Sequence, residues 1–152
     1  ELTARRKLPD YRADAVVPDT KLQGWNYIED SCDINSLMDY FGGFHDSVIR
    51  EIHYESGDYM EGGTMYLSPS CAKKLRMVFD SSWANSIEIV FESVRLLRLV
   101  PPGENYLGDL FNASIFIDNL EVYFYDEYLK ERPKSHDGTW VKALGMRWRV
   151  IV

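Results

Sequence analysis

Cysteine is scarce: Cys32 and Cys71 are the only two among 152 residues. They form no CxxC pair and no Cys/His cluster, which excludes the usual zinc spacings and a disulfide scaffold. A chain of this length buries enough surface to need no covalent staple. Two reduced thiols and a cytoplasmic setting are therefore expected. Long apolar runs are also missing. Nothing approaches the ~18 residues of a membrane-spanning helix, and the charged N-terminal stretch has no apolar segment of the signal-peptide kind. Basic residues are in deficit, 17 Lys and Arg against 24 Asp and Glu, for a net charge of −7. A nucleic-acid partner is not expected, because binding a polyanion relies on neutralising its phosphates.

Signature motifs are absent too. There is no GxGxxG or GxxxxGK[ST], so a nucleotide-binding fold has no support. There is no HExxH or GxSxG either. No cofactor is expected. No repeat of 20–50 residues is present, which excludes solenoids and propellers.

What is present is ordinary for a globular domain: 45% apolar, 27% charged and 14% aromatic residues. Residues 1–24 read as an arm, charged and broken by Pro9 and Pro18, and residues 25–152 as a single domain. Asp33 offers an acceptor for the free N–H groups of a helix start. Ile34, Leu37, Met38 and Phe41 follow at i, i+3, i+4 and i+7, and Gly42–Gly43 stands where a left-handed cap ends a helix. The spacing predicts one short helix over about Asp33 to Tyr40.

Beyond Gly43 the period becomes two. Val48, Ile52 and Tyr54 share a face, with Arg50 out of pattern. Leu75, Met77 and Phe79, then Ile87, Ile89 and Phe91, alternate with polar or charged neighbours. Ile115 and Ile117, Leu120 to Phe124, and Met146 to Val150 complete the set, and Val94 to Val100 reads as a strand buried on both faces. Asp118–Asn119 fits a two-residue hairpin turn. Short connections exclude most helical crossovers. The expected fold is mainly β, at the margin of α+β. Seven or eight mostly antiparallel strands form a sandwich or partial barrel with one short N-terminal helix. The core is expected to hold Leu37, Phe41, Val48, Ile52, Leu75, Met77, Phe79, Ile87, Ile89, Phe91, Leu97, Leu99, Ile115, Ile117, Val122, Phe124, Met146 and Trp148.

Three constellations bear on function. Phe44–His45–Asp46–Ser47 lies at the junction of helix and strand, and reads as a polar knot that ties a turn rather than as a nucleophile and base. Glu51, His53 and Glu55, at i, i+2 and i+4, share one strand face and are the weak candidates for a metal, although an exposed charged strand accounts for them equally. Glu121, Tyr123 and Tyr125, continued by Asp126, offer rings and acids for a partner or else cover a second layer of core. Acids dominate locally: nine against Arg50 between Asn26 and Tyr66, and seven against Lys130 between Pro101 and Glu131. They are either a solvated surface or a face that attracts a basic protein. The first reading is a non-enzymatic protein-binding domain, using Glu51, Glu55, Glu121, Tyr123, Tyr125 and Asp126. The alternative is a small hydrolase or metal-dependent enzyme centred on His45, Asp46 and His53, which must then converge in one pocket.

The segments Gly43–Phe44–His45–Asp46–Ser47, Ile52 to Gly57 with Tyr59, Ile87 to Glu92, Asn105–Tyr106 and Met146–Arg147–Trp148 resemble a family of small, uncharacterised bacterial proteins. That resemblance spans Gly42 to the C-terminus and implies no catalytic residue. Phe44–His45–Asp46 at a strand start is also similar to part of some bacterial immunity proteins, which neutralise secreted toxins. This second resemblance implies a protein partner.

Overall fold

The computed structural model describes residues 21–103 and 108–151. The arm expected over residues 1–24 therefore lies mostly outside the described residues, as does Asn105–Tyr106. In chain order the elements are β1 (Asn26–Tyr27), α1 (Ser31–Phe41), β2 (Ser47–Glu55), β3 (Tyr59–Glu61), β4 (Thr64–Tyr66), β5 (Lys74–Ser81), β6 (Ile87–Arg98), β7 (Asp109–Leu110), β8 (Ser114–Asp118), β9 (Glu121–Tyr125) and β10 (Trp140–Val150).

The helix is longer than its apolar stripe predicts. Asp30, three residues upstream of the expected cap, is the residue that starts it: its carboxylate accepts the Asp33 N–H at 2.9 Å, and Asp33 accepts the Asp30 N–H at 3.2 Å. This reciprocal box satisfies two donors at once, which a single cap at Asp33 does not. Gly42, at φ 60°, ends the helix and donates its N–H to the Met38 carbonyl.

The sheet is antiparallel throughout, in the order β7-β2-β5-β6-β10-β9-β8, with β1 added along β10. Its seven strands curl into a half-barrel. Leu37 and Phe41 of α1 are fully buried in the hollow. The centre of the core is aromatic: Phe44 lies 4.9 Å from Phe41, 5.1 Å from Phe79 and 5.6 Å from Phe124, all edge-on. Edge-on rings suit the ring quadrupole and add to the burial of each side chain.

Most of the expected core is buried, from Leu37 and Phe41 through β5, β6 and β9 to Met146 and Trp148. Two bulges account for several of the departures. In β2, Ile49 faces Phe79 and Glu51 faces Val78, so Arg50 is an extra residue. One extra residue reverses the alternation. Val48 consequently turns outward, 40% exposed, while Ile49 and the half-buried Ile52 pack against the core. In β6, Lys142 faces Leu96 and Ala143 faces Val94, which leaves Arg95 unpaired. Past this point the strand is not covered on both sides. Leu96, Leu99 and Val100 are exposed and Leu97 is only partly buried. The two-sided burial lies earlier, where Glu88 and Val90 are buried behind Ile87 and Ile89. Ile117, near the end of edge strand β8, is also exposed. The hairpin after it turns at Asn119–Leu120, at φ 54° and 67°, rather than at Asp118–Asn119, because Asp118 still pairs with Glu121.

Cys32 lies exposed on α1 and Cys71 sits in the turn before β5, both as free thiols. Among the described residues no helix is long and apolar enough to cross a membrane.

Candidate functional site

The sharpest corner of the chain runs from Gly42 to Ser47. Gly42, Gly43, Phe44 and Asp46 all have φ between 56° and 69°. For Phe44 and Asp46 this is a costly region, entered only when surrounding contacts over-determine it. Those contacts are visible. The Asp46 N–H donates to Leu110, the Ser82 N–H to Asp46, the Ala113 N–H to Gly43, and the Trp83 indole N–H to His45. The His45 ring meets the Phe111 carbonyl through Nδ1 at 2.8 Å, and a carbonyl only accepts, so Nδ1 carries the proton. The polar knot expected at this segment is present, with one difference: Ser47 is buried and donates to the Phe44 carbonyl at 2.7 Å. Its hydroxyl proton is thereby committed to the backbone of the turn.

His45 and Asp46, although adjacent, approach to 3.5 Å because the backbone here is a turn and not a strand. His53 does not join them. It lies six residues beyond Ser47 on β2, roughly 20 Å at ~3.3 Å per residue, and contacts Glu55 at 3.2 Å. The three residues of the enzyme reading thus do not converge. Glu51 does not complete a metal row either, since it pairs with Arg76 across the strand. Arg76 also binds the buried Glu88, and these two carboxylates, Glu51 foremost, raise its pKa. Among the described residues no group of three or more His, Cys, Asp or Glu side chains is placed to hold a metal ion.

Glu121, Tyr123, Tyr125 and Asp126 follow one another along β9 and just past it, and all are at least partly buried. Tyr123 and Tyr125 are 5% and 1% exposed, so the contact face expected of them is absent. They form the second layer of packing instead. Arg132 lies 4.5 Å over the Tyr123 ring, and Tyr125 stacks on Trp140 at 5.5 Å. Burial pushes the Tyr125 phenol pKa upward. Asp126 accepts from His136 at 2.8 Å and from the Thr139 N–H at 3.1 Å, with the Asp126 and His136 side chains nearly buried. Glu121 is tied to Lys142 at 3.4 Å.

The residues that sequence reasoning missed flank the corner. Trp83 is 53% and Phe111 75% exposed, one on each side of His45. Their only signal in the sequence is an aromatic residue alone in a polar loop, Ser81–Ser82–Trp83 and Phe111–Asn112. The outward Val48 pairs with the exposed Asp109, and the exposed Asp46 bonds Leu110, the residue before Phe111. The corner's backbone is thus held by the two loops that carry these exposed rings, with exposed acids in the corner and on β7. Comparison with protein-family models, with curated proteins and with solved structures found no match.

Proposed function

We propose that the chain is a non-enzymatic protein-binding domain, immunity-like in its mode of action, that engages a basic protein through the His45 corner. The exposure of Trp83 and Phe111, on two loops hydrogen-bonded to the His45 turn, is the observation that carries this reading. Large aromatic side chains held in place lose little entropy on binding and supply most of the affinity of an interface. A rim of Asp46 and Asp109, on a chain of net charge −7, complements a cationic partner. Glu55 lies at the far end of β2, outside this rim, and Glu51 is already neutralised by Arg76. The resemblance of Phe44–His45–Asp46 to immunity proteins supports the same corner.

Phe111→Ala isolates the claim, because His45 bonds the Phe111 backbone carbonyl and the substitution leaves that bond in place. Wild-type protein and the Phe111→Ala variant serve as parallel baits in an extract of the native host. A protein retained only by the wild type is then purified and its kinetics measured at low and physiological salt. The expected result is a basic protein whose association slows as the Debye length falls from ~30 to ~8 Å. Its dissociation should be roughly tenfold faster from the variant. A captured protein that both baits hold equally, with salt-independent association, overturns the reading.

A further inference from the structure

A cavity of about 340 Å³ lies between β1, the first turns of α1 and β10, away from the His45 corner. Three aromatic residues line it, Trp25, Tyr27 and Trp148, together with the carboxylates of Glu29 and Asp33. One cation is already seated there. The Lys21 ammonium pairs with Glu29 and stands 5.5 Å from the centre of the Tyr27 ring. Rings beside carboxylates are the surroundings that stabilise an ammonium, the ring faces through their quadrupole and the acids by charge. Trp25 shows the same affinity on the outer face of the sheet, where the guanidinium groups of Arg147 and Arg149 lie 4.6 and 4.3 Å from its ring centre. Arg147 pairs with Glu92, and Arg149 shares Glu88 with Arg76; the carboxylates among the residues that line the cavity are those of Glu29 and Asp33, the latter also accepting the Glu29 and Asp30 N–H groups.

We propose that this cavity is a binding site for an alkylammonium group, with Lys21 as the intramolecular occupant that an external ammonium displaces. The Lys21–Glu29 pair is half exposed on both sides, and such pairs contribute little to stability. Displacing Lys21 is therefore cheap for the fold. A tethered competitor nonetheless lowers the apparent affinity of any free ligand, because it occupies the site at a high effective concentration. Glu29 also holds the Lys21 pKa above its ordinary value, so the competitor stays charged throughout the neutral range.

The test is a titration of the full chain with tetramethylammonium chloride, and in parallel with butylammonium chloride, a mimic of a lysine side chain. Sodium chloride at equal ionic strength is the control, and the indole N–H signals of Trp25 and Trp148 are the readout. Saturable shifts at these two indoles, beyond the sodium control, are expected. Lys21→Met should strengthen binding by roughly threefold, and Glu29→Gln added to Lys21→Met should weaken it again by roughly twofold to fivefold. A butylammonium response stronger than that of tetramethylammonium assigns the site to a lysine side chain, and the reverse order to a quaternary amine. Both substitutions are at exposed positions, and an unchanged melting temperature shows that the fold is intact. Linear shifts equal to those in sodium chloride, or weaker binding by Lys21→Met, overturn the proposal.

Discussion

Phe44 holds a left-handed backbone at φ 69° with a side chain that is fully buried. An L-residue in that region costs about 1–2 kcal/mol, whereas burying a phenylalanine contributes about 1.5–3 kcal/mol before ring–ring contacts are counted. Burial therefore wins, and the corner keeps its shape because the ring has nowhere better to go. Phe44→Ala should cost ~3–5 kcal/mol in urea denaturation, since the cavity opens beside Phe41, Phe79 and Phe124 together. A loss below about 1 kcal/mol would mean that the site collapses around the truncated side chain. The same residue marks where sequence reading stops. Within Phe44–His45–Asp46–Ser47 only the polar side chains advertise a role, while the residue that anchors the turn looks like one more apolar neighbour.

At the scale of elements, strands were legible wherever alternation ran unbroken, as in β5, where Leu75, Met77 and Phe79 are buried as expected, whereas in β9 the core face was legible and the burial of Tyr123 and Tyr125 behind it was not. The helix was legible from its stripe, though its start was not, because Asp30 and Asp33 compete for the cap and only the fold shows that both are used. Bulges were the blind spot. Arg50 stood out of pattern in the sequence, but nothing there says that it adds a residue instead of merely exposing one.

The β3–β4 hairpin, which stands off the main sheet, adds a pH-dependent clamp. Asp58 accepts the Ser68 N–H at 2.7 Å and pairs with Lys73 at 3.1 Å, and these bonds, the Ser68 N–H foremost, lower its pKa. A depressed carboxyl stabilises the fold at every pH above its ordinary value of about 3.9, and that contribution fades as pH falls through the lower folded value. Protection of the Ser68 amide, its exchange measured against the intrinsic rate at each pH, should therefore be steady from neutral pH to about 5 and fall once the solution is more acid than the ordinary carboxyl value. Asp58→Asn should remove that acid step. Identical acid profiles for variant and wild type would show that the clamp bears no load.

Across the whole molecule, one aromatic cluster joins α1, the corner, β5, β6 and β9. The outer layer of Tyr123, Tyr125 and Trp140 is attached to the same strands. With one core cluster among the described residues, circular dichroism and tryptophan fluorescence should trace one coincident urea transition, with an m-value of about 1–3 kcal/mol/M. Two separated midpoints would show that the outer layer is an independent unit. Class and core could be read from the chain because hydrophobic periodicity reports which faces are buried. The exposed patch could not, because exposure of Trp83 and Phe111 depends on loops converging from distant parts of the sequence.

Gly42 has two unrelated duties. Its φ of 60° ends the helix, and a Cβ there would stand 1.9 Å from the indole of Trp83. The first demand concerns how the chain stops coiling; the second concerns what the protein shows to its surroundings. In any lineage descended from this sequence, replacement of that glycine therefore strains the interior and shifts the exterior in a single event. Mutational tolerance at position 42 cannot be apportioned between folding and recognition by looking at that position alone. The helix end and the patch drift together or not at all.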